Sequence, residues 1–332
     1  MQGLGGDVDE RFLVAVWKHQ REYMQFVGPA GTNSGGIFIP YRQTLSTFIE
    51  GQPKERVLSV LRHEGFHQFF YHYIGTGRPI WVNEGLAVYF ENSMLVDGKM
   101  LMGDTPPHYL MVLKAARKTG NLPSLETMMT MSHEQWNTNL RSGSAMGQLQ
   151  YPTAWSIVHF LRHGAGDDGR KMLTRYLKAI NNPRMTPERA LHKAFGKGRS
   201  LRVFQKKWAE YIDKMEPSPT FQSREQLEKI VRILRALHGR GTDFTQFETT
   251  GELLDFMKDK GVAPGNVEAL FVCPGDDADK DPRTSYEYST VEIEGTHYPV
   301  LTSAHFKKLY VRIVYEKTEG GGIAPSVEIV GR

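Results

Sequence analysis

The chain has 332 residues, more than one hydrophobic core usually serves, so its length predicts two domains. Hydrophobic residues make up 40% and charged residues 23%, which excludes a wholly disordered protein. No uncharged apolar stretch reaches the roughly 18 residues that a membrane-spanning helix needs. The single cysteine, Cys273, excludes a disulfide framework and a zinc site built from several cysteines.

Charge is distributed unevenly along the chain. Residues 1–216 contain 27 Lys and Arg against 19 Asp and Glu, whereas residues 217–332 contain 14 against 18. The sign changes near Glu216-Pro217-Ser218-Pro219, where prolines also interrupt any helix, so we expect the domain boundary after residue 216. The basic residues are scattered and not interleaved with aromatic ones, so we expect a solvated surface and no nucleic-acid partner.

Residue patterns predict strands and helices alternating at the start of the chain, followed by two longer helices. β-branched and aromatic residues indicate strands, and apolar residues three or four apart indicate helices. The predicted elements are a buried strand at Arg11–Trp17, a helix at His19–Val27, strands at Ile37–Pro40 and Leu45–Phe48, and helices at Pro53–Tyr73 and Ile80–Asn92.

The rest of the first domain is predicted to be mainly helical. A hairpin is expected over Leu95–Met102, around Asp97-Gly98. Thr186 and Pro187 predict a helix start, and Gly196 its end. The second domain reads as a small α+β unit, with helices at Ser223–His238 and Thr249–Lys260 and strands at Leu270–Val272, Tyr286–Glu294, Leu309–Tyr315 and Val327–Val330.

The sequence His63-Glu64-Gly65-Phe66-His67 lies inside a predicted helix. A spacing of four places both imidazoles on one helix face, where they can bind one ion. Glu64 points about 100° away, so it suits proton transfer from an attacking water better than metal binding. Zinc prefers such a pair together with one carboxylate and an open fourth position. The alternative is a pair of core histidines without a metal.

A third ligand is expected on the next helix. Glu84 follows His67 after 16 intervening residues, and a Gly/Pro turn between antiparallel helices would return it to the level of His67. Gly85 and Ala87 are small where the helices must approach closely. A carboxylate among apolar residues is buried and needs a partner, which a metal ion can provide.

The segments HEGFH and WVNEGLAVYFE together resemble the gluzincin metallopeptidases. The resemblance is closer still to the peptidase-MA-like family of largely uncharacterised bacterial proteins. Gly35–Tyr41 resembles the edge strand that precedes HExxH in that family. Tyr151–Leu161 resembles a later Tyr-Ala-x-x-Trp-x-x-Val-His-Phe-Leu helix, and Ala194–Gly196 a further segment. The similarity covers about residues 11–215.

This resemblance implies a zincin-like α+β domain over residues 1–216, with a small mixed sheet, active-site helices and a helical subdomain. It implies Zn²⁺ ligation by His63, His67 and Glu84, with Glu64 as general base and acid. It also suggests a phenol that hydrogen-bonds the developing oxyanion. Tyr151 is the candidate, unless it is a packed core tyrosine, and His159, eight residues on, is a second candidate or a structural histidine.

The chain departs from the best-known gluzincins. The spacer before Glu84 is shorter, and Val88 stands where thermolysin-like enzymes place an Asp that orients a ligand histidine. Asn83 and Glu91 are the polar groups available for that task. A glycine-rich aminopeptidase motif is absent, so the expected activity is endopeptidase-like. The Ile37–Ile39 strand is expected to pair with an extended peptide substrate.

The second domain, residues 217–332, is less informative. Phe271–Asp276 and Ser285–Tyr288 faintly resemble the globular head of pilin-like secretion proteins. Cys273 is expected to be buried and inert. The acidic residues nearby predict a solvated loop rather than a calcium site, because regular ligand spacing is missing; they are Asp276, Asp277, Asp279 and Asp281.

The predicted function is zinc-dependent hydrolysis of peptide bonds in a peptide or protein substrate. The alternatives are a non-catalytic peptide-binding protein and a zinc-stabilised scaffold of a surface or secretion assembly. The first seven residues lack a signal-peptide pattern, which fits a cytosolic protein or a mature chain without its leader. The family resemblance favours export.

Overall fold

The structure is a computed structural model that describes residues 11–28, 34–96, 98–262, 267–272, 282–303, 309–317 and 321–331. Helices and strands mix in an α+β arrangement. The chain divides into two compact units, one formed by residues 1–93 and 108–216, the other by residues 94–107 and 217–332. In the described residues no helix has both the length and the apolar character needed to cross a membrane.

The first unit contains a three-stranded sheet of order β1-β3-β2. Its strands are β1 (Leu13–Trp17), β2 (Gly36–Ile39) and β3 (Thr44–Phe48), with β1 parallel and β2 antiparallel to β3. Helix α1 (Gln20–Val27) connects β1 to β2, and a cluster that includes Tyr23 packs it on the sheet. Strand β2 therefore forms one edge of the sheet and β1 the other.

The prediction that the first strand is buried was wrong. In β1 the side chain of Leu13 is 62% exposed and that of Val16 is 49% exposed. The reason is its position at a sheet edge, where β3 is its one pairing partner among the described residues. The next helix, α2 (Lys54–Tyr73), packs on β2 and β3.

Helices α2 and α3 (Ile80–Glu91) form the centre of the first unit. The turn between them uses Gly75 and Gly77 at φ values of +99° and +66°, which glycine adopts without steric cost. Helix α3 then returns along α2 in the opposite direction, since Asn83 contacts His67 and the later Glu91 contacts the earlier His63.

The described part of the first unit contains seven further α-helices. The predicted helix start at Thr186 is confirmed, because its hydroxyl accepts a hydrogen bond from the Arg189 amide, and Gly196 caps the end. Helix α7 packs against α3 and continues into a single π-helical turn, Phe160–Gly164. The helices are α4 (Pro107–Lys118), α5 (Leu125–Thr130), α6 (His133–Ser142), α7 (Ala145–His159), α8 (Gly166–Ile180), α9 (Pro187–Phe195) and α10 (Arg199–Lys214).

Close packing of α3 on α7 depends on Gly85. A Cβ atom at this position would lie 2.6 Å from the carbonyl oxygen of Ala154 and 3.1 Å from Val158. Backbone atoms cannot move aside as a flexible side chain can. A small residue is thus required at the contact between α3 and α7, whereas its size was expected to serve the contact between α2 and α3. Gly85 directly follows Glu84 in the chain.

We expect Gly85→Ala to lower the free energy of unfolding by about 1–3 kcal/mol, because the methyl group overpacks the helix contact. Chemical denaturation of the metal-free protein measures this effect. Gly65→Ala is the matched control, since its Cβ would meet only Leu45 at an ordinary 3.8 Å. That helical Gly→Ala change should be neutral or stabilising by up to about 1 kcal/mol. Equal stability of the two variants would contradict the role assigned to Gly85.

The second unit contains a hairpin, two helices and a four-stranded antiparallel sheet of order β6-β7-β8-β9. Its hairpin buries Met94 and Val96, and β4 contacts β9. Helix α11 packs on the sheet, and its residues join one hydrophobic core with those of α12 and the strands. The elements are β4 (Met94–Val96), β5 (Lys99–Leu101), α11 (Pro219–His238), α12 (Thr250–Asp259), β6 (Tyr286–Ile293), β7 (Thr296–Ser303), β8 (Leu309–Lys317) and β9 (Ile323–Gly331).

Two strand predictions in this unit differ from the structure. Leu270–Val272 is not a strand. Leu270 is the last residue of a short 3₁₀ helix, and the side chain of Phe271 is fully buried in the hydrophobic core of this unit. Strand β7 was not predicted, although Glu294 and Gly295, both at positive φ, form the tight turn that joins it to β6. Cys273 and the four aspartates, Asp276, Asp277, Asp279 and Asp281, lie outside the described residues.

Candidate metal centre

The structure brings His63, His67 and Glu84 together. One turn of α2 separates the two imidazoles, whose ring centroids are 4.7 Å apart. Helix α3 places Glu84 Oε2 3.7 Å from His63 Nε2 and 3.6 Å from His67 Nε2. The potential ligand atoms of all three residues lie within 4.8 Å of one another. We call these three residues the metal centre.

Both histidines are oriented by hydrogen bonds on their far side. His63 Nδ1 lies 2.9 Å from Glu91 Oε2, and His67 Nδ1 lies 3.1 Å from Asn83 Oδ1. Each acceptor oxygen favours a proton on Nδ1, which leaves Nε2, the nitrogen nearer to Glu84, as the atom that can bind a metal ion. The sequence had indicated Asn83 and Glu91 as the polar groups available to orient the histidines, and these two residues make the contacts to Nδ1.

The donor set fits a zinc ion. Glu84 Oε2 is buried and makes no hydrogen bond to any described residue, an arrangement that is costly without a partner. Its distances to the histidine nitrogens are too long for hydrogen bonds. Donors about 2.1 Å from one tetrahedral ion stand about 3.4 Å apart, close to the observed separations. Two imidazoles and a carboxylate are ligands that zinc prefers.

The electrostatics of these side chains favour a positive charge among them. Burial alone lowers the pKa of His63, but the carboxylates of Glu84, Glu91 and Glu64 outweigh burial and raise this pKa to about 10. Burial alone raises the pKa of Glu84, yet the imidazoles of His67 and His63 hold it well below its ordinary value. A cation therefore stabilises this buried carboxylate, and a divalent metal ion provides more positive charge than a proton does.

The Glu91 carboxylate links the metal centre to a surface arginine. Arg56 Nη1 donates to Glu91 Oε1 over 3.1 Å, while Oε2 accepts from His63.

We expect Glu91→Ala to weaken zinc binding about 10–100-fold, because His63 loses the acceptor that orients it. Competition with a chromophoric chelator measures the affinity. Glu188→Ala, which removes an exposed carboxylate from α9, should leave the affinity unchanged; if both variants bind zinc like the parent, Glu91 does not orient the ligand.

Glu64 is held beside the metal centre by the sheet edge. The backbone N–H of Phe38 in β2 donates to Glu64 Oε2 over 2.7 Å. This N–H points away from β3, and in an antiparallel pair the carbonyl of the same residue points the same way. The free edge of β2 therefore fixes the carboxylate and directs the Phe38 carbonyl toward the same space.

Two buried tyrosines lie within electrostatic reach of Glu84, and sequence reasoning identified one of them, Tyr151. Burial raises the pKa of the Tyr151 phenol far above its ordinary value, and the nearby carboxylates of Glu84 and Glu64 raise it further. Burial likewise raises the pKa of Tyr109, with Glu91 and Glu84 adding to the effect. Tyr109 was missed because a tyrosine in an amphipathic helix looks like an ordinary core residue. Both phenols stay protonated at neutral pH and can donate hydrogen bonds.

His159 lies among aromatic side chains at the end of α7. It ends α7, eight residues and therefore about 12 Å along the helix axis from Tyr151. Its Nδ1 is 2.9 Å from the Tyr211 hydroxyl, and its ring packs against Trp155 with centroids 5.0 Å apart. The structure thus places this buried histidine in an aromatic cluster with Tyr211 and Trp155.

A cavity of about 370 Å³ opens beside the metal centre. We call it the cleft. Strand β2, the turn after α2, the start of α3 and helix α6 surround it. Its lining includes Phe38, Pro40, His67, Tyr71, Gly75, Gly77, Arg78, Ile80, Asn83, Glu84, His133 and Asn137. This volume is in the range of small-molecule and peptide sites.

Comparison with known proteins adds one family. Residues 57–183, fewer than half of the chain, match the model of a family described as "Protein of unknown function (DUF1570)". The matched span contains all three residues of the metal centre, Glu64 and Tyr151, and its description names no activity. No curated protein and no solved structure matches the chain.

Proposed function

We propose that this protein is a zinc-dependent peptidase of zincin-like fold that cleaves peptide bonds within polypeptide chains. One observation carries the proposal. The backbone N–H of Phe38 holds the Glu64 carboxylate beside the metal centre, whose three side chains can bind one ion. The resemblance to gluzincins supports it, as does the antiparallel edge strand beside the HExxH helix. When bound, zinc would supply the Lewis acidity that activates water and polarises a carbonyl group.

The side chains then have distinct tasks. His63, His67 and Glu84 would hold the zinc ion. Glu64 accepts a proton from the attacking water and delivers it to the leaving amine, with Phe38 N–H keeping its carboxylate in place. The substrate lies extended along β2, where the Phe38 carbonyl accepts one of its N–H groups.

The direct test is cleavage of casein, a polypeptide without stable structure. We expect the zinc-loaded protein to cleave casein, a chelator to abolish cleavage, and stoichiometric zinc to restore it, whereas magnesium does not. Chelation removes the group that activates water, and magnesium prefers oxygen ligands in octahedral geometry. Intact casein after prolonged incubation with protein that binds one zinc ion per chain would contradict a peptidase and favour a peptide-binding protein.

Tyr151 is the expected donor to the oxygen that gains negative charge. We expect Tyr151→Phe to lower kcat about 10²–10³-fold with little change in KM, since the hydrogen bond forms chiefly in the transition state. Tyr109→Phe is the matched variant, because it removes the same hydroxyl from a second buried tyrosine near Glu84. If kcat falls strongly only in Tyr109→Phe, Tyr109 is the hydrogen-bond donor instead. If kcat falls in neither variant, neither tyrosine is the donor.

A further inference from the structure

The cleft contains a guanidinium group, that of Arg78, which pairs with no carboxylate of the described residues. Arg78 lines the cleft in the turn before α3. In the described part of the chain, no carboxylate oxygen lies within 4.0 Å of an Arg78 nitrogen. The acidic residue that does line the cleft, Glu84, faces the two histidines instead. A partly buried cation without a counter-ion favours an anionic ligand.

Hydrogen bonds hold this arginine in position. Its Nε donates to the Ile74 carbonyl over 3.0 Å and its Nη2 to the Asn181 carbonyl over 3.4 Å. The Arg78 carbonyl is fixed in turn, because His133 Nε2 lies 2.9 Å from it. These bonds use Nε and Nη2, so Nη1 remains for a ligand. A side chain restrained in this way loses little conformational entropy on binding.

The start of α3 adds positive potential at the same end of the cleft. Ile80, the first residue of α3, also lines the cleft. The first turn of α3 has neither an acidic residue nor a side-chain cap. Its N–H groups therefore strengthen an electropositive region whose main charge is Arg78.

We propose that Arg78 determines substrate specificity by binding a carboxylate of the peptide in the cleft, from either an acidic side chain or the chain terminus. The inference rests on the proposed function, because it assumes a peptide in this cleft. Glu84 is the fifth residue of α3, about 6 Å along the helix axis from Ile80. An extended peptide covers this distance in about two residues. The Ile80 end of the cleft is thus about two peptide residues from Glu84.

The test measures binding and cleavage separately. The probes are fluorescein-labelled degenerate hexapeptide pools with Glu or Gln fixed at one position, each made as a C-terminal acid and as an amide. Zinc-loaded Glu64→Gln protein should bind a carboxylate-bearing pool at least about tenfold more tightly than its neutral counterpart. The Glu/Gln and acid/amide pairs distinguish the two sources of the carboxylate. Wild-type protein should cleave the preferred pool fastest.

Arg78→Met should remove the preference while leaving zinc affinity unchanged. Arg78→Gln is a second variant that can still donate to the neighbouring carbonyl groups if the Met variant is unstable. Arg202→Met, an exposed position on α10, makes the same charge change outside the cleft and should keep the preference. Equal affinity for charged and neutral pools, a preference unchanged in both Arg78 variants, or no binding of any pool would overturn the inference. Preferential binding without cleavage would instead overturn the proposed hydrolysis and leave the carboxylate site standing.

Discussion

Glu64→Gln is expected to lower peptide hydrolysis about 10²–10⁴-fold, the usual contribution of a positioned general base. Glutamine has the shape of glutamate, and its Oε1 can still accept the hydrogen bond from the Phe38 amide that holds Glu64. What it lacks is the basic oxygen that removes a proton from the attacking water. Zinc should still bind, because the proposed ligands are His63, His67 and Glu84, and Glu64 is not among them.

The measurements are the initial rate of casein cleavage and the zinc content after dialysis. Glu55→Gln is the control on the same helix: it removes a carboxylate paired with Arg62 at 2.6 Å, and it should retain full activity. A Glu64→Gln protein that cleaves casein as fast as the parent would show that another group is the base. Loss of zinc along with activity would show that Glu64 is a ligand.

Glu84→Gln is expected to weaken zinc binding by more than about 100-fold, the upper end for changes that only reorient a ligand. Glutamine keeps the volume of this buried side chain but removes the negative charge that faces His63 and His67. Without that charge, two neutral imidazoles provide the whole protein contribution to the metal centre. Peptide hydrolysis should be lost with the metal.

Thermal unfolding with and without zinc measures this loss. A ligand at 100 times its Kd stabilises the folded state by about 2.7 kcal/mol, so zinc should raise the Tm of the parent protein. The same zinc concentration should leave the Tm of Glu84→Gln unchanged, while Glu55→Gln responds like the parent. An undiminished zinc response in Glu84→Gln would place the ion elsewhere or exclude this carboxylate as a ligand.

Much of the metal centre could be predicted because its geometry is local. The four-residue spacing puts His63 and His67 on one face of any α-helix, whatever surrounds that helix. Glu84 required one further step, a turn between antiparallel helices, and the glycines in that turn indicated it. The size of Gly85 indicated a close helix contact, but the helix that contacts it is α7 and not α2 as expected. The expectations of zinc and of hydrolysis remain predictions that the experiments above address.

Side-chain partners across the fold required the tertiary structure. Nothing in the sequence indicates that the Phe38 amide bonds Glu64, or that Tyr109 joins Tyr151 near Glu84. The sequence shows Arg78 in a turn but does not indicate what it contacts. Hydrogen bonds from its side chain to the carbonyl groups of Ile74 and Asn181 fix its orientation. The aromatic neighbours of His159, Tyr211 and Trp155, likewise became visible only in the tertiary structure.

The sequence by itself determined the elements that rest on short-range periodicity, among them α2, α3 and α9, together with the HExxH and Glu84 pattern. It could not determine burial at sheet edges, since β-branched residues look alike on an edge strand such as β1 and a central one. Nor could it determine pairing in the second sheet, where β7 was missed and Leu270–Val272 was wrongly assigned to a strand. Those outcomes depend on contacts between residues far apart in the chain. Such contacts determine which apolar segments pair as strands in a sheet and which polar side chains come together in the protein interior.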